Sequence, residues 1–369
     1  MEYKLLTPGP LTTTETVKEA MLVDHCTWDD DYKIITQHIR QQLLALAHVS
    51  ETEYTTILMQ GSGSFAVEAV LSSIVGEKDK ILICGNGAYG ARMQQTAARY
   101  GLNHLYYEVA ETKIPDATEI ATILEADSAI NFVAMVHSET TSGIVNDIES
   151  VAKVVKAHQA TFIVDAMSSF GGIEIPMAEI GIDFLVSSAN KCIQGVPGFG
   201  FIICRRDQLA LSCGKARTLS LDIFDQHQVM DHDGKWRFTS PTHTVLAFQQ
   251  ALKELVQEGG IAARYNRYAQ NNHIIRTGME KLGFAPLIAI ENQGPFITTF
   301  HYPFPEFSFA DFYEYLKENG YAIYPGKISE IDCFRIGNIG EVYPSDMMKV
   351  LQLAEEYLVK SNVKGAVAL

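Results

Sequence analysis

The chain has 369 residues, of which 47% are hydrophobic and 20% charged, an ordinary composition for a globular protein with a sizeable core. Its net charge of −15 argues against a nucleic-acid partner, because affinity for a phosphate backbone comes from an excess of Lys and Arg. No run of about 18 to 20 apolar residues and no secretory signal is present, so we expect a soluble protein without a membrane partner. The six cysteines form no CxxC pair, which favours reduced thiols in the cytoplasm and no metal site.

Short apolar runs alternate with helical stretches from about residue 54 to residue 204. Such runs, separated by amphipathic helices like the one that begins at Ile148, predict a mostly parallel sheet covered on both faces. The last two runs are joined by a Gly/Pro loop that is too short for a parallel crossover, so the final strand is predicted to be antiparallel. The candidate strands are 55–60 (TTILMQ), 80–84 (KILIC), 132–137 (FVAMVH), 161–166 (TFIVDA), 183–188 (DFLVSS) and 199–204 (FGFIIC).

After about residue 250 the pattern changes to a long helical stretch followed by a small α+β region. We therefore expect a large α/β domain over residues 16–250 and a smaller C-terminal α+β domain over residues 251–369, joined by the N-terminal segment 1–15. The boundary is expected inside one long helix. The candidate elements of the second region are strands near Phe296–Phe300, Ala322–Tyr324 and Cys333–Ile336 and a closing helix from about Ser345 to Val359.

A Gly/Ser turn, residues 61–64 (GSGS), follows the first strand and opens a helix. Ligands of open parallel sheets lie outside the carboxyl ends of the strands, and a helix N-terminus there offers free amide groups to a phosphate. Glycines also occur in such turns for steric reasons alone, so this feature by itself leaves both interpretations open. The turn fits neither GxGxxG nor GxxxxGK[ST], which argues against NAD and ATP.

Two charged residues end later strands. Asp165 closes a wholly apolar strand, where a carboxylate is costly to bury unless it meets a cation, although a helix cap is an equal alternative. Lys191 follows another strand among small residues, and a partly desolvated amine suits Schiff-base chemistry, although most lysines are solvated surface residues. A phosphate-binding turn, a buried Asp and such a Lys on successive strand ends are what pyridoxal phosphate requires.

At these residues the chain resembles the fold-type I pyridoxal-phosphate enzymes, in particular the branch of alanine–glyoxylate and serine–pyruvate aminotransferases. The resemblance covers essentially the whole chain and implies an α/β large domain with a mostly parallel seven-stranded sheet flanked by helices, plus a smaller α+β domain. It is carried by LLTPGPLT near the start, QGSGSFAVEAVL (60–71), NGAYGARM (86–93), MVHSETTSGI (135–144), VDAMSSFGG (164–172), SSANKCIQGVPGFGF (187–201) and DCFRIGNIGEV (332–342).

The resemblance implies that the catalytic residues are Lys191, which binds the cofactor covalently and moves a proton, and Asp165, which pairs with the pyridine nitrogen. It also implies that the α-carboxylate of pyruvate or alanine is held by Arg335. The remaining cofactor contacts that it implies are Gly63 and Ser64 at the phosphate, Tyr89 stacked on the ring, Thr140 at the phenolic oxygen, Asn190 near the phosphate, and Thr239 and Thr242 reaching the phosphate of the partner in a homodimer.

Two strings, DHCTWDDDY (24–32) and KWRFTSPTHT (235–244), narrow the resemblance to the enzymes that use 2-aminoethylphosphonate as amino donor and pyruvate as acceptor. The implied function is a ping-pong transamination that yields phosphonoacetaldehyde and L-alanine in phosphonate catabolism. The phosphonate needs donors of its own, and the choice among them stays open from the sequence. The candidates are Arg335, Arg92, Arg237, Thr27 and Trp28.

Several other functions fit part of the pattern. An alanine–glyoxylate or serine–pyruvate aminotransferase is the nearest alternative, and the two strings argue against it. A cysteine desulfurase needs a reactive Cys on a loop, whereas Cys333 lies within a predicted strand. A nicotinamide-dependent oxidoreductase needs GxGxxG where the chain has GSGS. A binding module without catalytic activity has no need for an Asp, a Lys and an Arg at cofactor positions.

Overall fold

The structure, a computed structural model, describes residues 3–326, 328 and 331–360. In chain order the strands are β1 (Lys4–Leu5), β2 (Tyr54–Gln60), β3 (Lys80–Gly85), β4 (His104–Glu108), β5 (Ile130–Val136), β6 (Ser138–Glu139), β7 (Ile144–Val145), β8 (Thr161–Asp165), β9 (Phe184–Ser188), β10 (Phe199–Arg205), β11 (Ile297–His301), β12 (Tyr321–Ala322), β13 (Tyr324–Pro325) and β14 (Cys333–Gly337).

The helices vary from one turn to six turns in length. They are α1 (Glu15–Glu19), α2 (Asp30–Leu46), α3 (Gly63–Ile74), α4 (Ala88–Arg99), α5 (Ala117–Ala126), α6 (Ile148–Ala157), α7 (Met177–Ile180), α8 (Arg206–Ala210), α9 (Ile223–Asp233), α10 (Thr242–Glu258), α11 (Gly260–Lys281), α12 (Phe309–Glu318) and α13 (Pro344–Lys360), with short 3-10 turns at Ala20–Leu22 and Ile290–Asn292. No described helix combines the length and the apolar character that a membrane span requires.

A seven-stranded sheet in the order β2-β10-β9-β8-β5-β3-β4 forms the centre of the chain. Strands β4, β3, β5, β8 and β9 pair in parallel, and β10 is antiparallel to both of its neighbours. The predicted α/β fold and the antiparallel strand are therefore confirmed. The sequence prediction omitted β4, because this edge strand is only half-buried and lacks the continuous apolar run of the inner strands.

Both faces of the sheet are buried, which explains the unbroken apolar runs. Alternate residues of a strand point to opposite faces, so Leu58 packs with α2, α6 and α10, whereas Ile57 and Met59 pack with α3 and α4. The same alternation divides Val133 and Phe132 of β5 between the two clusters. Burial on both faces stiffens the carboxyl ends of the strands, on which the functional residues lie.

The C-terminal region has its own apolar cluster and a three-stranded antiparallel sheet in the order β11-β14-β13. The strand predicted at residues 322–324 consists of the separate β12 and β13, and β12 pairs in parallel with β1 near the N-terminus. The expected single long helix is two helices, α10 and α11, because Gly259 and Gly260 between them have left-handed backbones with φ of +111° and +79°.

The division into domains at residue 250 stays a prediction. Residue 250 lies inside α10. The apolar cluster on one face of the sheet contains α10, and neither of the two sheet-face clusters contains α11. The predicted second domain extends to residue 369, and its residues 327, 329, 330 and 361–369 lie outside the described residues, as do residues 1 and 2 of the joining segment.

Candidate active site

A cavity of about 200 Å³ opens at the carboxyl ends of β2, β8 and β9. It brings together seven residues that the sequence named as candidates, namely Gly63, Ser64, Tyr89, Arg92, Asp165, Asn190 and Lys191. Its other lining residues are Ser62, Val67, Met93, Thr96, Met167 and Ser188. The topology explains this meeting, because β8 and β9 are parallel neighbours and therefore present their ends at the same edge of the sheet.

Asp165 is the last residue of β8 and is almost fully buried. Its Oδ1 accepts a hydrogen bond of 2.9 Å from the amide of Met167. Burial raises the pKa of Asp165 to about 6, against the opposing effects of this hydrogen bond and of the positive charges of Lys191 and Arg92. At neutral pH the carboxyl group is therefore mostly ionised, and it places a negative charge at the bottom of the cavity.

Lys191 lies three residues after β9, and its side chain enters the same cavity. Burial lowers the pKa of Lys191 to about 8. The charge of Asp165 opposes this shift, and the charges of Arg335 and Arg92 add to it. Its Nζ donates a hydrogen bond of 2.6 Å to the carbonyl of Pro8. A pKa near 8 leaves an appreciable neutral fraction of the amine at neutral pH, as a nucleophile and a base require.

The turn before α3 leaves donors open towards the cavity. Ser62 caps the helix without a side-chain hydrogen bond, and no described residue accepts from the amides of Gly63 and Ser64. A Cβ on Gly63 would meet Sδ of Met167, so a larger residue there would require the flexible end of the Met167 side chain to move. The helix start therefore offers two backbone N–H groups and the positive end of its dipole to an anion.

Tyr89, in the first turn of α4, is positioned by an acid that the sequence interpretation missed. The buried Glu139 accepts hydrogen bonds from the amide of Tyr89 at 3.2 Å and from Oγ1 of Thr141 at 2.6 Å. Burial raises the pKa of Glu139, and these hydrogen bonds oppose the shift. A Cβ on Gly87 would lie 2.5 Å from the carboxyl carbon of Glu139. In the sequence, Glu139 could have been noticed as an acid in the otherwise uncharged segment 138–146 that follows β5.

Arg335 lies in the middle of β14 and is only 2% exposed. Its Nε donates to the carbonyl of Pro325 at 2.9 Å, its Nη1 donates to the carbonyl of Thr140 at 3.0 Å, and its guanidinium lies 5.0 Å from the centre of the Tyr324 ring. Among the described residues no carboxylate lies within ion-pair distance of it. Carbonyl dipoles and an aromatic face thus position a cation whose charge remains available to an anionic ligand.

Thr140 and Asn190 supply neutral polar atoms. Oγ1 of Thr140 is buried, and no described residue forms a hydrogen bond with it, which is unusual for a native protein and indicates a place for a ligand atom. Asn190 borders the cavity, and its Oδ1 accepts a hydrogen bond of 3.1 Å from Oγ of Ser188. Thr140 does not itself line the cavity, and its carbonyl accepts a hydrogen bond from Arg335.

Seven of the candidate residues do not line the cavity of their own chain, namely Thr140 and Arg335, described above, and Thr239, Thr242, Arg237, Thr27 and Trp28. Thr239 is exposed and its carbonyl accepts from the side chain of Gln60, and Thr242 begins α10. Arg237 is engaged with the carboxylate of Asp225 at 2.9 Å. Trp28 is exposed under the ammonium groups of two lysines, and Thr27, which precedes it, lies in the same surface turn.

Comparison with known proteins gives a consistent result. A family model of the class-V aminotransferases matches residues 26–339. A 2-aminoethylphosphonate–pyruvate transaminase of Lysinibacillus sphaericus is 55% identical over 360 residues, which cover 98% of each chain. The transaminase of the same name from Salmonella typhimurium is 58% identical over 352 residues, covering 95% of this chain and 96% of the relative. The solved structure of a ureidoglycine–glyoxylate aminotransferase from Bacillus subtilis covers 100% of this chain and 96% of its own, with a TM-score of 0.90 at 21% identity, and shows the common fold.

Proposed function

The chain belongs to the class-V aminotransferases, and from this premise we propose that it transfers the amino group of 2-aminoethylphosphonate to pyruvate, giving phosphonoacetaldehyde and L-alanine. The observation that carries the chemistry is the meeting of Lys191 and Asp165 in one cavity beside the start of α3. The choice of substrates rests on the two relatives named for this reaction, which are 55% and 58% identical over nearly their whole length.

The residues of the cavity fit pyridoxal phosphate. The free amides of Gly63 and Ser64 suit its phosphate, and the unpartnered Oγ1 of Thr140 suits its phenolic oxygen. The ring of Tyr89 offers a flat surface for the pyridine, and Asn190 is a polar neighbour of the phosphate. Bound pyridoxal phosphate supplies a carbonyl group that condenses with amines and a ring that accepts electrons when a C–H bond beside the nitrogen breaks.

Asp165 would hold a proton on the pyridine nitrogen. Its pKa of about 6 applies to a carboxylate without a directly bonded cation, and a cationic N–H group beside it would lower that pKa further. The carboxylate would then stay ionised throughout the neutral pH range. The proton therefore remains on the nitrogen, where it is needed.

Lys191 would act first as the covalent attachment point and then as the base. Its lowered pKa favours the neutral amine that attacks a carbonyl and that accepts a proton from carbon. The aminated carbon of 2-aminoethylphosphonate is a CH₂ group, so Lys191 has a proton to remove there and no carboxylate has to leave.

Arg335 would bind the anionic end of each substrate in turn. Because Nε and Nη1 are anchored on the carbonyls of Pro325 and Thr140, the free edge of the guanidinium has a defined direction. A carboxylate accepts two parallel hydrogen bonds from such an edge, and a phosphonate can do the same. Arg92, which lines the cavity, is the candidate for a second cation, whereas Arg237 is occupied by Asp225.

We propose a homodimer in which Thr239 and Thr242 reach the phosphate of the partner subunit. Exposed apolar side chains support this proposal. Phe65 (53% exposed) follows the turn that lines the cavity, and Leu219 (72%) and Phe238 (41%) are next to each other through Arg237, which donates to the carbonyl of Leu219. The carbonyl of Thr239 is bonded to Gln60, which begins the turn that lines the cavity. An apolar surface next to an incomplete phosphate site is suited to a second copy of the chain.

The proposed function is tested by adding 2-aminoethylphosphonate, without a keto acid, to the protein loaded with pyridoxal phosphate. The visible absorbance of the bound cofactor should convert to that of the amine form, and pyruvate should restore it. A response to serine or alanine but not to the phosphonate would contradict the substrate assignment and leave the cofactor assignment in place. A protein that acquires no visible band after addition of pyridoxal phosphate would contradict both.

A further inference from the structure

The segment from Thr7 to Pro10 lies directly against the amine of Lys191. The Nζ donates to the Pro8 carbonyl at 2.6 Å. Gly9 has a left-handed backbone with φ of +117°, and a Cβ on it would lie 2.8 Å from Cδ, 2.9 Å from Nζ and 3.0 Å from Cε of Lys191. The backbone conformation therefore favours glycine at residue 9, and any side chain there would displace the flexible end of the Lys191 side chain.

This segment is held in place from the side that faces away from Lys191. Oγ1 of Thr7 donates to the carbonyl of Pro10 and accepts from the amide of Gly9, which closes the turn. The amide of Gly337 donates to the carbonyl of Leu6 at 2.9 Å, and a Cβ on Gly337 would lie 2.5 Å from the carbonyl oxygen of Thr7. The turn is thus packed against the end of β14, two residues from Arg335, and its position does not depend on the lysine.

The surroundings of the amine contain charges of both signs. Asp165 favours the ammonium form, Arg335 and Arg92 disfavour it, and burial disfavours it most. The Pro8 carbonyl is the hydrogen-bond acceptor that the structure gives to Nζ. A carbonyl oxygen that accepts from an ammonium group stabilises the charged form, so it acts against the desolvation.

We propose that the Pro8 carbonyl holds the amine of Lys191 whenever this amine is not bonded to the cofactor, and that Gly9 is the positioning residue that brings the carbonyl there. This inference rests on the proposed function. Lys191 is free before the cofactor attaches and again while the substrate amine has taken its place. In the second case the carbonyl keeps the amine close to the substrate carbon after it has accepted a proton, ready to deliver that proton.

The first test compares Gly9→Ala with Gly283→Ala. Gly283 also has a left-handed backbone, with φ of +90°, but a Cβ there meets open space, so this variant measures backbone strain alone. Cofactor-free protein is mixed with pyridoxal phosphate at a series of pH values, the bond to Lys191 is trapped with borohydride, and the modified peptide is quantified by mass spectrometry. The pH midpoint of the attachment rate should fall by about one unit in Gly9→Ala and stay unchanged in Gly283→Ala.

The same variants are then followed in the half-reaction with 2-aminoethylphosphonate. Loss of a hydrogen bond to a charged group should slow this step about tenfold or more in Gly9→Ala. If Gly9→Ala fails to fold, Thr7→Val and Thr7→Ser take its place, because only the second keeps the hydroxyl group that closes the turn. Thr7→Val should shift the attachment midpoint in the same direction, and Thr7→Ser should restore it.

Two results would overturn the inference. If folded Gly9→Ala, or Thr7→Val in its place, has the attachment midpoint and the half-reaction rate of the wild type, the carbonyl does not act on Lys191. If the wild-type protein itself forms no bond between Lys191 and pyridoxal phosphate, the proposed function fails, and the inference fails with it. The attachment experiment distinguishes these cases, because the wild-type sample is measured first.

Discussion

The floor and the rim of the cavity differ in how completely one chain builds them. The floor, Asp165 and Lys191, comes from the ends of adjacent parallel strands and is enclosed by the buried sheet. The rim, Phe65, Arg92 and Thr239, comes from helix starts and a loop, and its side chains are exposed. The floor brings the two proposed reacting groups together within one chain, whereas the exposed rim is where the proposed second chain would complete the site.

Replacement of the floor lysine should have the largest effect. Lys191→Ala removes both the attachment point and the base, so transamination should fall by at least about 10³-fold. Single-turnover measurements with 2-aminoethylphosphonate and pyruvate would record the loss. Lys253→Ala, at an exposed position of α10, is the control and should retain full activity. Rapid turnover by Lys191→Ala would remove Lys191 from the mechanism.

The ionised carboxylate of Asp165, in the floor of the cavity, should lower the stability of the cofactor-free protein. Its pKa of about 6 lies above its ordinary 3.8, so the folded chain binds more protons than the unfolded chain between about pH 4 and pH 6. The free energy of unfolding of the cofactor-free wild type should therefore fall by up to about 3 kcal/mol relative to Asp165→Asn as the pH rises through that range. Urea unfolding at several pH values measures the difference.

Parallel pH profiles of stability in the two proteins would show that Asp165 is not desolvated as described. The same substitution should reduce transamination by about 10²-fold, since an amide cannot balance a cationic ring nitrogen. The charge that destabilises the floor of the cofactor-free protein would thus be the charge that the reaction uses.

The rim is tested through assembly. Phe238→Asp places a charge in the exposed apolar surface and should weaken the proposed dimer by about 30-fold or more, the size typical of a central aromatic contact. Sedimentation at several protein concentrations measures this, and affinity for pyridoxal phosphate should fall with it if Thr239 and Thr242 serve the partner. The exposed Val359, on α13, gives the control Val359→Asp, which should leave the dimer intact. A wild-type protein that stays monomeric would contradict the dimer itself.

Arg335 links the floor to the C-terminal region. Arg335→Lys keeps the charge but loses the planar edge, and a lysine cannot be held by two carbonyls in the same direction. We expect KM for pyruvate to rise about tenfold with a smaller change in kcat. A KM unchanged for both pyruvate and 2-aminoethylphosphonate would exclude Arg335 from anion binding.

Glu139→Gln should have the smallest effect, a two- to fivefold loss of activity, because the two bonds are accepted by different carboxylate oxygens and the amide keeps an oxygen for only one of them, from Tyr89 or from Thr141. The specific signal is the circular dichroism of the bound cofactor, which should change if the Tyr89 ring moves. Glu149→Gln, on the exposed start of α6, is the matched control. An unchanged cofactor signal would show that Glu139 does not position Tyr89.

The sequence was informative where a charged residue ends or follows an apolar run. Asp165 and Lys191 stand out because a charge at the end of a buried strand is costly unless it is paired. The resemblance decided between the alternatives that these residues left open, and it added Arg335 and Thr140. Glu139 was missed because its segment is not a long strand, and its partner, the amide of Tyr89, lies 50 residues away. The Pro8 carbonyl was missed because a backbone atom leaves no mark in the sequence.

The sequence by itself determined the parallel sheet, the antiparallel β10 and the residues at the strand ends, because apolar periodicity and loop length are local properties. Tertiary structure alone decided which surroundings those residues meet. It places the N-terminal turn on Lys191 over a separation of 183 residues and the Thr140 carbonyl on Arg335 over 195 residues. Contacts over such separations, and the burial that accompanies them, form only when the whole chain has packed. They determine the pKa values of Asp165 and Lys191 and the orientation of the Arg335 guanidinium.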